Sequence, residues 1–463
     1  MRVRFWGTRG SIATPGPGTN RFGGNTSCVA VSTDAGACIM FDCGTGARLL
    51  GAELLAKARR PLEITILLGH THWDHIQGFP FFAPLFVPGS RITVCGPEGS
   101  GRSLREVLAG QMEFTYFPVD LGELPARITF RELAEGTHEI GGVRIGAQFL
   151  NHPAMTLGYR VEADGAAVVY LTDHEPFSET LWHDADARGG IDAIVHEGDR
   201  RHTRFMSGAG LVIHDAQYTT EEYETKKNWG HSPYRYAVAL AGVAGVRQLA
   251  LTHHDPGHDD DFVEVIEQQA RAFAAERGYA VEVCCAREGL DLAVEPHGPH
   301  QRAAVPLPPR EHPDAAPAKH ILIVDDDPDL LALASLALTR DGHAVTVVAG
   351  GMEARASIEG KQPDLVVLDL LMPHPDGIEV LRALRSNPST AKLPIVVLTA
   401  QNDEANTRAA FDAGADDYLT KPFTMPQLAA RVRACLARTS TAHGESVAET
   451  SAAGDGGRSD GTD

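Results

Sequence analysis

The sequence predicts an α/β chain built as two domains, and three observations carry that prediction. Its 463 residues exceed what one ordinary hydrophobic core accommodates. Up to about Glu295, short β-branched strands are mixed with glycine turns and a few helices. From His320 strands alternate with helices, the pattern of a parallel sheet covered on both faces. Residues 296–318 are rich in proline, histidine and alanine without apolar period, which predicts a semi-extended linker. The expected division is therefore 1–295, linker 296–318, 319–438, and a disordered Ser/Thr/Ala/Gly/Asp tail over 439–463.

A formal net charge of −20 argues against a general nucleic-acid or membrane-surface binder, because phosphate-rich partners are repelled at long range. Seven cysteines form no C-x-x-C pair, which fits reduced thiols in a cytoplasm. Met1–Trp6 alternates like a strand and has no apolar leader, and no run approaches the ~18 apolar residues of a membrane span. A soluble, cytoplasmic protein without a membrane partner is expected.

In the first domain, glycine turns at Gly7–Ser11 and Gly23–Cys28 precede strands near Cys28–Ser32 and Ala37–Asp42. Asp42-Cys43-Gly44-Thr45-Gly46 opens a helix through Leu55, and Asp42 either supports a neighbouring loop or caps that helix. The apolar run Ile64–Leu68 then leads into Gly69-His70-Thr71-His72-Trp73-Asp74-His75. Core packing gains nothing from so many polar groups at a strand end, so this reads as a metal site. His70 and His72 have strand spacing and leave one face, while Asp74 and His75 can reach a second ion about 3.5–4 Å from the first. Phe79–Pro84 is either a substrate wall or a cover for the core. Later strands end at His152, at Asp173, whose two oxygens can bridge two ions, and at the neighbours His253 and His254. His253, directly after its strand, is the preferred ligand.

This His-x-His-x-Asp-His run, followed by His, Asp and His at later strand ends, resembles the metallo-β-lactamase superfamily. The resemblance covers about the first 295 residues and implies an αβ/βα sandwich with a dinuclear site at one edge of the sheets. It implies that His70, His72 and His152 hold one ion, that Asp74, His75 and His253 hold the other, and that Asp173 bridges. Zn²⁺ is expected, with Mn²⁺ or Fe as alternatives, since His and carboxylate ligands discriminate poorly between them. Trp6–Ser11, Gly23–Ser27, Asp215–Thr219 and Trp229-Gly230-His231-Ser232 look like the phosphodiesterase-type branch, related to tRNA 3′-processing endonucleases and cyclic-nucleotide phosphodiesterases. In that branch the Gly-His-Ser histidine donates a proton to the leaving oxygen, so His231, with Asp215 orienting it and Asp74, are the catalytic candidates. Ile194–Glu197 and Val212–Asp215 are near-copies, and the second is preferred as the support for His231. Asp199–Arg204 is a local basic patch, read as a solvated loop or a phosphate contact.

The second domain resembles response-regulator receiver domains, a flavodoxin-like (βα)5 fold. Its strand ends carry Asp325, Asp326 and Asp327, then Asp369, Thr399 and Lys421. Clustered carboxylates repel one another unless a hard cation holds them, so Mg²⁺ is implied. By resemblance Asp369 is the phosphoacceptor, Asp325 and Asp326 the acidic pair, Thr399 and Tyr418 the switch pair, and Lys421 the contact to the acyl phosphate.

These readings combine into a two-component signalling protein: a dinuclear metal-dependent hydrolase, most simply a phosphodiesterase, controlled by or tethered to a phosphoacceptor receiver. The partners expected are a sensor histidine kinase and a phosphodiester-type small molecule or nucleotide, and a homodimer by analogy with relatives. The rival readings are a lactone or ester hydrolase, and a non-catalytic adaptor in which the receiver is the working part.

Overall fold

Aliphatic and β-branched runs in the N-terminal part become two facing sheets. The first contains β1 (Arg2–Gly7), β2 (Cys28–Ser32), β3 (Cys38–Phe41), β4 (Glu63–Leu67), β5 (Arg91–Pro97), β6 (Arg127–Leu133) and β14 (Asp291–Ala293), in the order β14-β1-β2-β3-β4-β5-β6. The second contains β7 (Gly136–Ile140), β8 (Val143–Phe149), β9 (Leu157–Ala163), β10 (Ala166–Leu171), β11 (Leu211–Asp215), β12 (Gln248–Thr252) and β13 (Glu282–Cys285), in the order β13-β12-β11-β10-β9-β8-β7. Helical segments are α1 (Ala47–Lys57), the single turn α2 (Trp73–Ile76), α3 (Leu104–Gly110), α4 (Glu197–Met206), α5 (Thr220–Tyr223), α6 (Tyr234–Val243) and α7 (Asp260–Arg277).

The computed structural model describes residues 1–296 apart from 58–60, 98–101, 178–189, 192–193 and 195, and residues 319–436 apart from 341, 361, 374, 401–408, 411–412, 422, 424–427, 430 and 434. The proposed linker from residue 297 onward, Pro422 and the proposed tail lie outside the described residues. The chain divides into two compact units, Met1–Glu311 and His312–Asp463. No helix among the described residues is long and apolar enough to cross a membrane.

Alternation along each strand sends successive side chains to opposite faces, and both faces are covered. Val3, Phe5, Val31, Ile39 and Phe41 of the first sheet pack on Ile145, Tyr159, Val161, Val168 and Ile213 of the second. Outside the first sheet, Met40, Ile64, Ile66 and Val94 cluster with Ala47 and Leu50 of α1 and Leu104 and Leu108 of α3. Outside the second, Val169, Leu171, Val212 and Leu251 cluster with residues of α6 and α7. The unit is thus an αβ/βα sandwich. Burying each such side chain contributes about 1.5–3 kcal/mol, which explains the nearly unbroken apolar runs. β3 and β4 are parallel, as are β10, β11, β12 and β13. Parallel neighbours finish at the same edge of their sheet, so their following residues converge there.

The C-terminal unit has β15 (His320–Val324), β16 (Ala344–Val348), β17 (Leu365–Asp369), β18 (Ile395–Ala400) and β19 (Asp417–Lys421), all parallel, in the order β16-β15-β17-β18-β19. α8 (Pro328–Arg340) packs on Ile321, Ile323, Val367 and Leu398, and Leu428, Val432 and Leu436 share that face. α9 (Gly351–Gly360) and α10 (Gly377–Ser386) pack on Leu322, Val324, Val366 and Leu368 of the other face. α10 starts with a reciprocal cap: Asp376 accepts from the Glu379 N–H at 2.8 Å, and Glu379 accepts from the Asp376 N–H at 3.0 Å.

Candidate metal centres and their surroundings

Three site residues sit just past strand ends in left-handed backbone: Asp42 at φ 54°, Asp173 at φ 60° and His253 at φ 62°. Non-glycine residues held there cost about 1–3 kcal/mol each and persist only where neighbours fix them. Here the neighbours are specific. Asp42 accepts from the Gly69 N–H at 2.8 Å, from His75 Nδ1 at 2.7 Å and from the Tyr170 hydroxyl at 2.6 Å. It therefore supports the histidine-rich turn and is not a helix cap. The Asp173 N–H donates to Asp215 Oδ2 at 3.1 Å, and His253 Nδ1 donates to Gln217 Oε1 at 3.0 Å.

The turn after β4 delivers His70 and His72, and α2 delivers Asp74 and His75. The ligand-type atoms of His70, His72 and His152 lie within 4.8 Å of one another, as do those of Asp74, His75 and His253. Asp173 stands between the sets: its Oδ1 is 3.8 Å from both His70 Nε2 and His152 Nε2, and its Oδ2 is 3.1 Å from His75 Nε2 and 3.4 Å from His253 Nε2. Asp74 Oδ2 is 3.2 Å from both His75 Nε2 and His253 Nε2 and accepts from the Ser11 N–H at 2.8 Å. His254 points elsewhere, with Nε2 2.8 Å from the Ala286 carbonyl. The outer ring nitrogens of His75, His152 and His253 donate to Asp42, the Gly230 carbonyl and Gln217, which leaves their inner Nε2 atoms facing the centre.

Both His70 ring nitrogens, His75 Nε2 and Asp173 Oδ2 are buried without a hydrogen-bond partner. Leaving such atoms orphaned is costly, and nitrogen and carboxylate donors at this spacing fit divalent cations. The protein electrostatics divide the imidazoles into two kinds. Burial, with His75 adding to it, pushes His70 well below the ordinary imidazole range, and burial pushes His152 down to about 4. Both rings are therefore neutral donors. Burial opposes charge on His75 and His253 as well, yet Asp74, Asp173 and Asp42 raise the first, and Asp173, Asp74 and Asp215 raise the second to about 9. Asp74 and Asp173 are held well below the usual carboxylate range despite burial, by the imidazoles they face.

His231 Nδ1 donates to Asp215 Oδ2 at 2.7 Å and stands 3.9 Å from Asp173 Oδ1. Asp215 Oδ1 accepts from the Gln217 and Ser232 N–H groups, so the carboxylate is fixed from several sides. Of the two near-copies, Val212–Asp215 thus supports His231, whereas His196 accepts from Gly198 N–H at the start of α4. The loop before His231 is held by Glu175, which accepts from the Asn228 N–H at 2.6 Å, the Gly230 N–H at 2.9 Å and the Tyr223 hydroxyl at 3.0 Å. Gly230 has φ 87°, and a Cβ there would meet His152 Nδ1 at 2.1 Å, so glycine is required.

In the C-terminal unit Asp325, Asp326 and Asp369 bring carboxylate oxygens within 4.8 Å of one another. Lys421 Nζ lies 2.7 Å from Asp325 Oδ2 and 3.2 Å from Asp369 Oδ1. Burial raises Asp369, opposed by Lys421; burial works against the Lys421 charge, but the two aspartates raise it. Thr399 is buried at the end of β18, and Tyr418 is half-buried on β19.

Several features differ from the sequence reading. Asp199–Arg204 is neither a loop nor a free basic patch: it lies in α4, where Asp199, His202 and Thr203 are buried and Arg201 pairs with Glu135. Phe79 and Phe82 cover the core, while Phe81 is exposed. Sequence reasoning also missed Tyr170, Gln217 and Glu175. A buried cluster behind Asp215 was missed as well: His202 and His214 join through their Nε2 atoms at 3.0 Å, and His174 stacks on His202 with centroids 3.8 Å apart.

A beta-lactamase superfamily domain model matches residues 38–254, and a response regulator receiver domain model matches residues 321–433. Among curated proteins, the chain is similar to the DNA-binding dual master transcriptional regulator RpaA of Synechocystis sp., at 44% identity over 119 residues, which is 26% of this chain and 49% of that one. It is similar to the response regulator MprA of Mycobacterium sp. at 47% identity over 124 residues, 27% of this chain and 53% of that one. The chain thus spans about half the length of these curated relatives. Among solved structures, the metallo-beta-lactamase fold protein YhfI from Bacillus subtilis is similar at 17% identity, with a TM-score of 0.44, over 63% of this chain and 98% of that one.

Proposed function

For a chain that joins a beta-lactamase superfamily domain to a response regulator receiver domain, we propose a metal-dependent phosphodiesterase tethered to, and regulated by, a phosphoacceptor receiver. His70, His72 and His152 would hold one cation, Asp74, His75 and His253 a second, and Asp173 both; zinc is the favoured metal, with manganese or iron suited to the same donors. When bound, such a pair supplies Lewis acidity toward phosphoryl oxygens and lowers the pKa of water.

The chain's own groups do the rest. Asp42 and Gln217 lock the tautomers of His75 and His253 through their outer nitrogens. Asp215 accepts a hydrogen bond from His231 Nδ1–H and fixes the ring, whose Nε2 would carry the proton given to a leaving alkoxide. The observation that carries the reading is this imidazole–carboxylate pair, which stands beside Asp173 and His253 at the edge of the donor sets. An ester or lactone hydrolase has less need of it, because a carbonyl carbon is attacked by water far more readily than the phosphorus of an anionic phosphodiester.

In the receiver, Mg²⁺ would be held by Asp325, Asp326 and Asp369, and a sensor histidine kinase would supply the phosphoryl group to Asp369. Lys421 would contact the acyl phosphate, with Thr399 and Tyr418 as the switch pair. Metal-loaded full-length protein, assayed on bis-p-nitrophenyl phosphate beside a lactone panel, tests the reading. Diester turnover that falls about 10²–10⁴-fold in His231→Ala, with unchanged metal content, is expected. Turnover of lactones alone, or an inert protein with a full metal complement, would move the assignment to the ester hydrolase or the adaptor.

A further inference from the structure

Arg9 is the largest fully buried side chain among the described residues. Taking a guanidinium out of water is costly, and the Asp260 carboxylate stands 3.9 Å from Nη2, beyond hydrogen-bond reach. Backbone answers the charge instead. Nε donates to the Gly23 carbonyl at 2.8 Å, and Nη1 donates to the carbonyls of Asp255 at 3.1 Å and His258 at 2.6 Å. One side chain thus ties the glycine turn at Gly23 to the segment that follows His253 and leads into α7.

The same two segments clasp the backbone around Arg9. The Asn25 carbonyl accepts from the Thr8 N–H at 2.9 Å and the Arg9 N–H at 3.0 Å. The Gly10 N–H donates to the His254 carbonyl at 3.0 Å, and the His254 N–H donates to the Thr8 carbonyl at 2.9 Å. What this clasp holds in place is Gly10 and Ser11. A Cβ on Gly10 would meet His253 Nδ1 at 2.4 Å, so the His253 ring lies directly on the glycine backbone. Ser11 takes left-handed backbone at φ 60°, and its N–H donates to Asp74 Oδ2. That oxygen is the one 3.2 Å from both His75 Nε2 and His253 Nε2. The His70, His72 and His152 set is held from elsewhere, His152 by the Gly230 carbonyl and Gly69, before His70, by Asp42.

We propose that Arg9 is a positioning residue for the second cation: it locks Thr8–Ser11 against His253 and Asp74, and so sets the affinity of the Asp74, His75 and His253 donors alone. The proposal rests on the two-cation reading above and gives its two sites unequal supports. Left-handed backbone at a non-glycine residue is strained and persists only where neighbours fix it. Without the Arg9 fork, Ser11 relaxes, its N–H leaves Asp74 Oδ2, and the His253 ring loses the flat surface at Gly10.

The test titrates zinc into metal-stripped full-length protein against a chromophoric chelator, comparing wild type with Arg9→Lys and Gly10→Ala. Lysine keeps the charge and loses the fork that spans three carbonyls. Alanine at position 10 leaves Arg9 in place and presses on His253, so it reads the same loop should Arg9→Lys fail to fold. In both variants one zinc ion should bind about 10–100-fold more weakly and the other within about twofold of wild type. Repeating each substitution in two backgrounds identifies the weakened ion. With His253→Ala the remaining ion should be indifferent to it, and with His152→Ala the remaining ion should show the full loss. Equal weakening of both ions, as a merely structural role predicts, or unchanged affinities in both variants, would overturn the proposal and leave diester turnover by the wild type to stand by itself. The predicted pattern in a chain that turns over no diester would uphold the role of Arg9 and overturn the phosphodiesterase reading.

Discussion

In the N-terminal centre the buried aspartates Asp74 and Asp173 face imidazoles, whereas in the receiver Asp325 and Asp369 face the ammonium of Lys421. The two arrangements answer the same problem of crowded carboxylates with different counter-groups. An ammonium carries permanent charge and keeps the receiver carboxylates paired with or without a cation. Imidazoles at His70 and His152 are neutral through burial, so they offer lone pairs and no charge. The N-terminal centre therefore leaves the His70 nitrogens without hydrogen-bond partners in the polypeptide alone, and depends more on cations for its stability.

The largest expected effect follows directly. Stripping divalent cations from full-length protein should abolish diester turnover and lower the melting transition of the N-terminal unit, while the receiver transition moves less. A cation held at a thousandfold excess over its Kd contributes about 4 kcal/mol to the unit that binds it. Calorimetry with and without chelator reads both transitions, and equal shifts would erase the proposed contrast. Next in size, Asp42→Asn keeps the shape but weakens the acceptor shared by Gly69, His75 and Tyr170. Metal affinity should fall about 10–100-fold, with phosphoryl uptake at Asp369 untouched.

A smaller effect probes whether the two regions communicate. Beryllofluoride should change wild-type diesterase rate by about fivefold or more and leave Asp369→Ala unaffected. An indifferent wild type would mean that the receiver is only a tether.

The smallest effect on turnover concerns Asp199, whose carboxyl burial pushes up to about 7, against the donors Tyr236 and Phe177. The unfolded chain loses that proton near pH 4 and the folded chain near pH 7. Stability from this group is therefore full below about pH 4 and lost as pH rises through about 7. Asp199→Asn should flatten that decline in denaturant titrations without altering kcat, and an unchanged slope would contradict the assignment.

Strand-end chemistry was legible in the sequence because polar residues after apolar runs have few structural uses. His70, His72, Asp74, His75, His152, Asp173 and His253 all stood out on that ground, and so did the receiver's Asp325, Asp369 and Lys421. The supporting residues did not, since their meaning depends on partners distant in sequence. Tyr170 reads as one more buried strand residue until its hydroxyl is seen on Asp42, 128 positions away. Glu175 reads as a loop acid until the Asn228–Gly230 backbone closes on it. α4 escaped for a different reason: of its buried residues Asp199, His202, Thr203, Phe205 and Met206, three are polar and the two apolar ones are adjacent, so hydrophobic periodicity is silent. α9, with glycine at both ends, gave no helix reading before its packing on β15 and β17 was visible.

The central claim is tested most directly by adding zinc stepwise to metal-stripped full-length protein while bound metal and diester turnover are measured together. The account predicts saturation at two zinc ions per chain in the N-terminal unit, with full rate reached only at the second. Full rate with one ion or none, or two bound ions with no diester turnover under any loading, would contradict it.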